Sequence, residues 1–303
     1  MTSVARSYAV LIGLLAAIWG ASYLFIKVAV RDFSPALLME LRLAGAGLTL
    51  ALFLVFRRGL HVALADLRGT GWQGFAIGVV NGAIPFTLIA WGEQHIDSGV
   101  AAVANATVPL FNALLVPFLL PKEKVTGIRL FGILLGLVGV TVLTAGQPEV
   151  SWWFVAGAMA VVVASLSYAL GGIWAQQSLA SSRGPALAAA SMLGGAIVLL
   201  PLALLRLPSQ APTWKPVASL LALTLLGTTV AQLILFRAIR LYGSARTTLV
   251  TFLMPPIALV YGAMLLGEPI TVGSIAGLGL ILLGIALGSG ALLLNRATAQ
   301  PAP

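Results

Sequence analysis

The sequence predicts an all-α polytopic membrane protein, with ten transmembrane helices arranged as two inverted-topology five-helix repeats. Three observations predict it. Of 303 residues, 60% are hydrophobic and only 8% charged, with a mean hydropathy of +1.05; soluble domains carry about 25% charged residues. Apolar runs recur, each about 20 residues long, enough to cross ~30 Å of hydrocarbon as a helix. The chain also matches itself at an offset of 145 residues.

The runs are continuous rather than alternating, which selects helices over a closed barrel. They centre on 8–28, 34–56, 71–92, 98–120, 126–146, 152–174, 185–205, 216–236, 244–266 and 271–293. The first follows Arg6 as a signal peptide would. It is longer than a signal core and has a partner later in the chain, so it is read as a retained span. Ser34-Pro35 reads as an N-cap with Pro at the first helical position, and Gly184-Pro185 opens the seventh span. Gln147-Pro148 and the stretch from Pro208 to Pro216 mark connections. Pro85, Pro109, Pro117 and Pro255-Pro256 predict kinks in the third, fourth and ninth spans. Gly132-Gly136, Gly273-Gly277 and Gly284-Gly288 are small-xxx-small pairs suited to close helix approach. Trp152-Trp153 and Trp214 sit at span edges as interface anchors.

Basic residues set the orientation. With the N-terminus inside, the inner side receives twelve: Arg6, Arg57, Arg58, Arg68, Lys122, Lys124, Arg129, Arg183, Arg237, Arg240, Arg246 and Arg296. The outer side receives Lys27, Arg31, Arg206 and Lys215, and Arg42 lies within a span. That bias predicts a multi-pass protein of the cytoplasmic (inner) membrane with both termini cytoplasmic. It also explains the net charge of +9 without nucleic acid, since the basic residues fall between apolar runs.

At the 145-residue offset, Ser22-Tyr23 lands on Ser167-Tyr168, Glu123 on Glu268 and Thr126 on Thr271. Gly82, Gly132 and Gly139 land on Gly227, Gly277 and Gly284. In the second span of each half an offset of 150 pairs Pro35 with Pro185. The repeats are expected at 1–147 and 148–294, with a short cytoplasmic tail at 295–303. Five crossings per unit is an odd number, so the second copy enters the membrane from the opposite face. Many secondary transporters are built this way, with the substrate site near the midplane between the halves.

These residues carry a family resemblance. Trp19-Gly20-Ala21-Ser22-Tyr23 with Lys27, Pro35 followed by Leu41-Arg42, Glu123 and Glu268 before the last span of each half, and the Gly-rich fifth and tenth spans resemble the EamA-type drug/metabolite transporter superfamily. Within it the chain looks closest to YddG-type bacterial aromatic amino-acid exporters. The resemblance implies ten helices, cytoplasmic termini and efflux of small metabolites, amino acids among them.

An ionisable residue inside a span is costly and is a functional candidate by default. Glu40 and Arg42 lie in the second span, two apart and so on different faces. Arg42 could bind a carboxylate or tie loops together; Glu40 could titrate. Lys27, near the outer end of the first span, could snorkel or meet a substrate carboxylate. Polar and aromatic candidates for a cavity lining are Trp19, Ser22, Tyr23, Asn81, Thr87, Trp91, Asn105, Asn112, Tyr168, Trp174, Gln232 and Tyr261. Such side chains turn toward other helices or a wet cavity.

Amides, hydroxyls and rings with little fixed charge suit a zwitterion with an apolar side chain. Phosphorylated cargo would call for a midspan Lys/Arg cluster, and quaternary cations for a carboxylate in the first span; the sequence has neither. No Gly-x-x-x-x-Gly-Lys-Ser/Thr motif occurs, so neither ATP nor an ATPase partner is implied. No cofactor or metal is expected: Cys is absent, and His61 and His95 are far apart. The alternatives are an exporter of other small organic solutes and a polytopic enzyme acting on a lipid-linked substrate. The enzyme needs converging acids or metal ligands, whereas seven of the eight carboxylates read as scattered over loops and span ends on both sides.

Overall fold

A computed structural model describes residues 3–119, 127–146, 151–178, 184–242, 247 and 250–288. Glu123, Lys122, Lys124, Pro148, Glu149, Arg183, Arg246 and the tail lie outside the described residues. The described chain is helical, in this order: α1 (Ser3–Ala29), α2 (Pro35–Arg58), α3 (Gly71–Gly92), α4 in two pieces (Ser98–Asn105 and Val108–Leu119) and α5 (Gly127–Ala145). The second half follows with α6 (Trp152–Ser178), α7 (Gly184–Leu204), α8 (Trp214–Tyr242), α9 (Val250–Leu266) and α10 (Val272–Gly288). Seven of these are long and apolar enough to cross a membrane; the described parts of α5, α9 and α10 are shorter apolar helices.

Local chemistry explains the boundaries. Ser34 Oγ accepts from the Leu37 N–H at 3.4 Å, and Pro35 occupies the first turn of α2. α2 ends at Gly59, whose φ of +81° lets the chain turn directly into a nine-residue helix, Leu60–Arg68. The sequence did not announce that helix. Arg58 pairs with its Asp66 at 2.8 Å.

The predicted irregularities take a specific form. α3 widens into a π-turn at Val79–Ala83, just before Pro85, and α9 does so at Gly262–Leu266. α4 breaks at residues 106–107, just before Pro109. α8 has a π-turn at Leu225–Val230 with no proline to signal it. There the Thr228 and Thr229 hydroxyls donate to the Leu223 and Thr224 carbonyls, satisfying groups that the wider turn frees. In α3 the hydroxyl comes from the other repeat, where Ser167 donates to Val80 O at 2.6 Å.

Packing follows a pseudo-two-fold pattern. α2 packs on α7, α4 on α9 and α5 on α10, while α1 meets α8 and α9 just as α6 meets α3 and α4. The repeats are inverted. Lys27, late in α1, bonds at the C-terminal end of α3, whereas Trp174, late in α6, packs on Trp72 at the start of α3 (centroids 5.3 Å). Equivalent ends of α1 and α6 therefore face opposite ends of the molecule.

α5 and α10 meet backbone to backbone. A Cβ added at Gly139 would lie 2.9 Å from Gly277 O, and one at Gly284 would lie 2.5 Å from Gly132 O. Gly132 and Gly277 are repeat mates, as are Gly139 and Gly284, so the seam is symmetric. Outer faces carry exposed Phe56, Ile197, Leu205 and Val272 among many others. That apolar exterior suits lipid, and a soluble monomer would not keep it.

Candidate substrate cavity

The helices of the two repeats enclose a central cavity of about 330 Å³. α1 contributes Trp19, Ser22, Tyr23 and Ile26; α2 contributes Arg42; α3 contributes Asn81, Phe86 and Ile89; and α4 contributes Asn105 and Asn112. From the second repeat come Tyr168 and Gly172 on α6, Met192 on α7, Thr228 and Gln232 on α8, and Thr251 and Met254 on α9. Apolar and aromatic walls with a few convergent polar groups are the usual make-up of a small-molecule site.

Arg42 is the charge in this lining. It is only 5% exposed. Its Nε donates to Thr228 Oγ1 at 2.9 Å, and its guanidinium lies 3.9 Å from the centre of the Phe86 ring. No described carboxylate lies within ion-pair distance of it; the ion pair among the described residues joins Arg58 and Asp66. A third, weaker contact runs from Arg42 Nη1 to Met39 Sδ at 3.8 Å, and a buried cation held by a hydroxyl, a thioether and a ring keeps donors available for an incoming anion.

Beside it runs a neutral network. Asn105 Nδ2 donates to the Tyr23 hydroxyl at 2.7 Å, and Ser165 Oγ lies 3.0 Å from Asn105 Oδ1. Tyr168 stacks edge-on against Phe86 at 6.0 Å. Tyr23 and Asn105 thus join α1 to α4, and Ser165 extends the chain to α6.

Of the sequence candidates, Trp19, Ser22, Tyr23, Asn81, Asn105, Asn112, Tyr168, Gln232 and Arg42 line the cavity. Six do not. Trp174 packs on Trp72 at the far end of α6, and Trp91 packs edge-on against His95 at 4.7 Å. Thr87 Oγ1 is buried without a described hydrogen-bond partner. Tyr261 and Glu40 are half-buried on α9 and α2, away from the cavity. Lys27 instead donates to two carbonyls, Glu93 O at 2.7 Å and Ile96 O at 2.8 Å, where it caps the end of α3.

That contact belongs to a plug closing one end of the cavity. Glu93 lies one helical turn beyond Ile89 of the lining and is 0% exposed. Glu268, before α10, accepts from Ser98 N at 2.9 Å, Ser98 Oγ at 2.7 Å and Gly99 N at 3.2 Å, so its carboxylate caps the first turn of α4. Burial pushes the Glu93 carboxyl well above the usual glutamate range; Lys27 opposes the shift and Glu268 reinforces it. Asp97 is raised for the same reasons in weaker form, burial first and then Glu268, with Lys27 opposing. Glu93, Asp97 and Glu268 therefore converge on one end, which corrects the reading of the carboxylates as dispersed. The sequence placed Glu93 in a loop because it follows the apolar run; the packing of α1 and α6 around the α3–α4 turn buries it. Among the described residues no His/Asp/Glu group could hold a metal ion.

The chain is 27% identical over 276 residues to a protein of Archaeoglobus fulgidus named "Uncharacterized transporter", a match covering 91% of this chain and 96% of that one. It is 27% identical over 282 residues to a Salmonella typhimurium protein named "Probable amino-acid metabolite efflux pump", covering 90% and 91%. A solved crystal structure superposes with a TM-score of 0.68 at 18% identity, covering 97% of this chain and 99% of that one, so the fold is shared. The profile of the EamA-like transporter family matches twice, at residues 7–145 and 155–290. With one copy on each half of the inverted pair, the chain belongs to the EamA-like transporter family.

Proposed function

We propose that this transporter exports amino acids, aromatic ones among them, across the cytoplasmic membrane. In this reading ten crossings, with both termini inside, alternate access to the central cavity between the repeats at 1–147 and 148–294. The observation that carries the reading is Arg42 in the cavity wall, beside Tyr23, Asn105 and Trp19 and without a carboxylate partner. A substrate carboxylate would take the guanidinium, the polar groups of Asn105 and Tyr23 would meet the amino end, and ring faces would hold the side chain. The name of the Salmonella relative points the same way. Nothing in the lining supplies a cluster of cations for phosphorylated cargo.

The test is counterflow of labelled phenylalanine in proteoliposomes of the purified protein. Saturable exchange, competed by Trp and Phe, supports the reading. Flux indifferent to every amino acid in a full panel ends it.

A further inference from the structure

Alternating access requires the plug of Lys27, Glu93, Ile96 and Glu268 to open, and Glu93 is its anomaly. Both carboxylate oxygens are buried with no described hydrogen-bond partner. The nearest cation does not serve them, since the Lys27 ammonium spends two bonds on the backbone carbonyls of Glu93 and Ile96. The groups facing Glu93 are Lys27 and Tyr23 of α1, Arg42 of α2 and Glu268 before α10; Asp97 and His95 share its turn, with His95 stacked on Trp153 of α6 at 5.2 Å. On the α6 side, Gly92 meets Gly157 and Val161, which do not titrate. Glu268 is committed as an anionic cap to Ser98 and Gly99. An ionised, unsolvated carboxylate beside that second carboxylate is costly. A neutral acid there is not, and burial favours it.

We propose that Glu93 is a proton-binding site, and that closing this plug takes up one proton at its carboxylate. The inference rests on the transport reading for one point, that the plug opens in the cycle. The step is a single proton transfer: water reaches the carboxylate in the open plug and delivers H+ to it, and no other bond forms or breaks. The sign follows from linkage. A carboxyl whose pKa is higher in the closed form favours closure at low pH, and closure weakens as pH rises above the ordinary glutamate value, by up to about tenfold per pH unit.

The chain has no cysteine, so a single probe reports the plug without interference. Ile96→Cys introduces a thiol where the side chain is 2% exposed; Leu207→Cys, at a position 61% exposed, corrects for thiol ionisation. N-ethylmaleimide labelling of the purified protein is followed from pH 5.5 to 9. The 96/207 labelling ratio should climb with pH in the Glu93 protein and stay flat with Glu93→Gln, which mimics the neutral acid. Asp97→Asn should keep the slope, and Lys27→Gln should move its midpoint to higher pH by removing the charge that favours ionisation. Equal slopes with and without the Glu93→Gln substitution overturn the proposal. If Glu93→Gln does not elute as a monodisperse species, an unmoved midpoint in Lys27→Gln overturns it instead. The assay needs no substrate, so its failure is separable from a failure of counterflow.

Discussion

The two repeats share a scaffold and differ in chemistry. Their glycine seam, the π-turns at 79–83 and 225–230, and the Ser-Tyr pairs at 22–23 and 167–168 recur at matching positions. The charged residues Lys27, Arg42 and Glu93 of the first repeat do not: they stand opposite Gly172, Met192 and Ala238 of the second. Met192 and Ala238 are buried as deeply as their charged counterparts. The pseudo-two-fold thus repeats the scaffold, while Arg42 and Glu93, on which the proposed recognition and proton binding rest, both belong to the first repeat.

That division can be broken in order of expected effect. Arg42→Gln should lower phenylalanine exchange by about 30- to 150-fold, the loss of a charge-assisted contact of roughly 2–3 kcal/mol. Met192→Leu, on the matching helix, should change it far less. If both variants behave alike, the chemistry is not one-sided. Gly139→Leu and Gly277→Leu each press a side chain into the facing backbone and should destabilise the protein by about 1–3 kcal/mol. Nearly equal drops in Tm in detergent would sharpen the claim of a symmetric scaffold, and a large inequality would weaken it. Glu268→Gln leaves a hydrogen-bonding side chain but removes the charge from the α4 cap, so a loss of about 0.5–1 kcal/mol is expected by the same thermal assay. Trp19→Ala should raise the concentration of Phe needed for half-competition several-fold, from the loss of about 1 kcal/mol of ring contact, and should affect alanine competition less.

The scaffold was readable because it is written in periodic features. Apolar runs set the helices, Ser34-Pro35 set a start, and the 145-residue offset revealed the duplication. Gly132-Gly136 and Gly273-Gly277 were legible as contacts because small residues four apart share a face. The α8 π-turn was not, since it depends on threonine hydroxyls rather than on proline. The candidate site was half legible. Polar and aromatic residues inside spans pointed inward, yet Trp91 packs on His95, Trp174 on Trp72, and Thr87 is buried outside the cavity lining, which residue type does not reveal. Glu93 was missed because its burial comes from a helix 66 residues away. Phe86, beneath the guanidinium, is indistinguishable in sequence from any lipid-facing ring.

The tether between Arg42 and Thr228 has a kinetic consequence. A guanidinium leashed to an alcohol changes partners at little expense, because the alcohol keeps its own bond to the Leu223 carbonyl when the guanidinium leaves. A carrier whose cation was locked to a carboxylate would have to break an ion pair at each loading and re-form it at each unloading. On the proposed reading, loading cargo at Arg42 displaces a hydroxyl contact and breaks no ion pair.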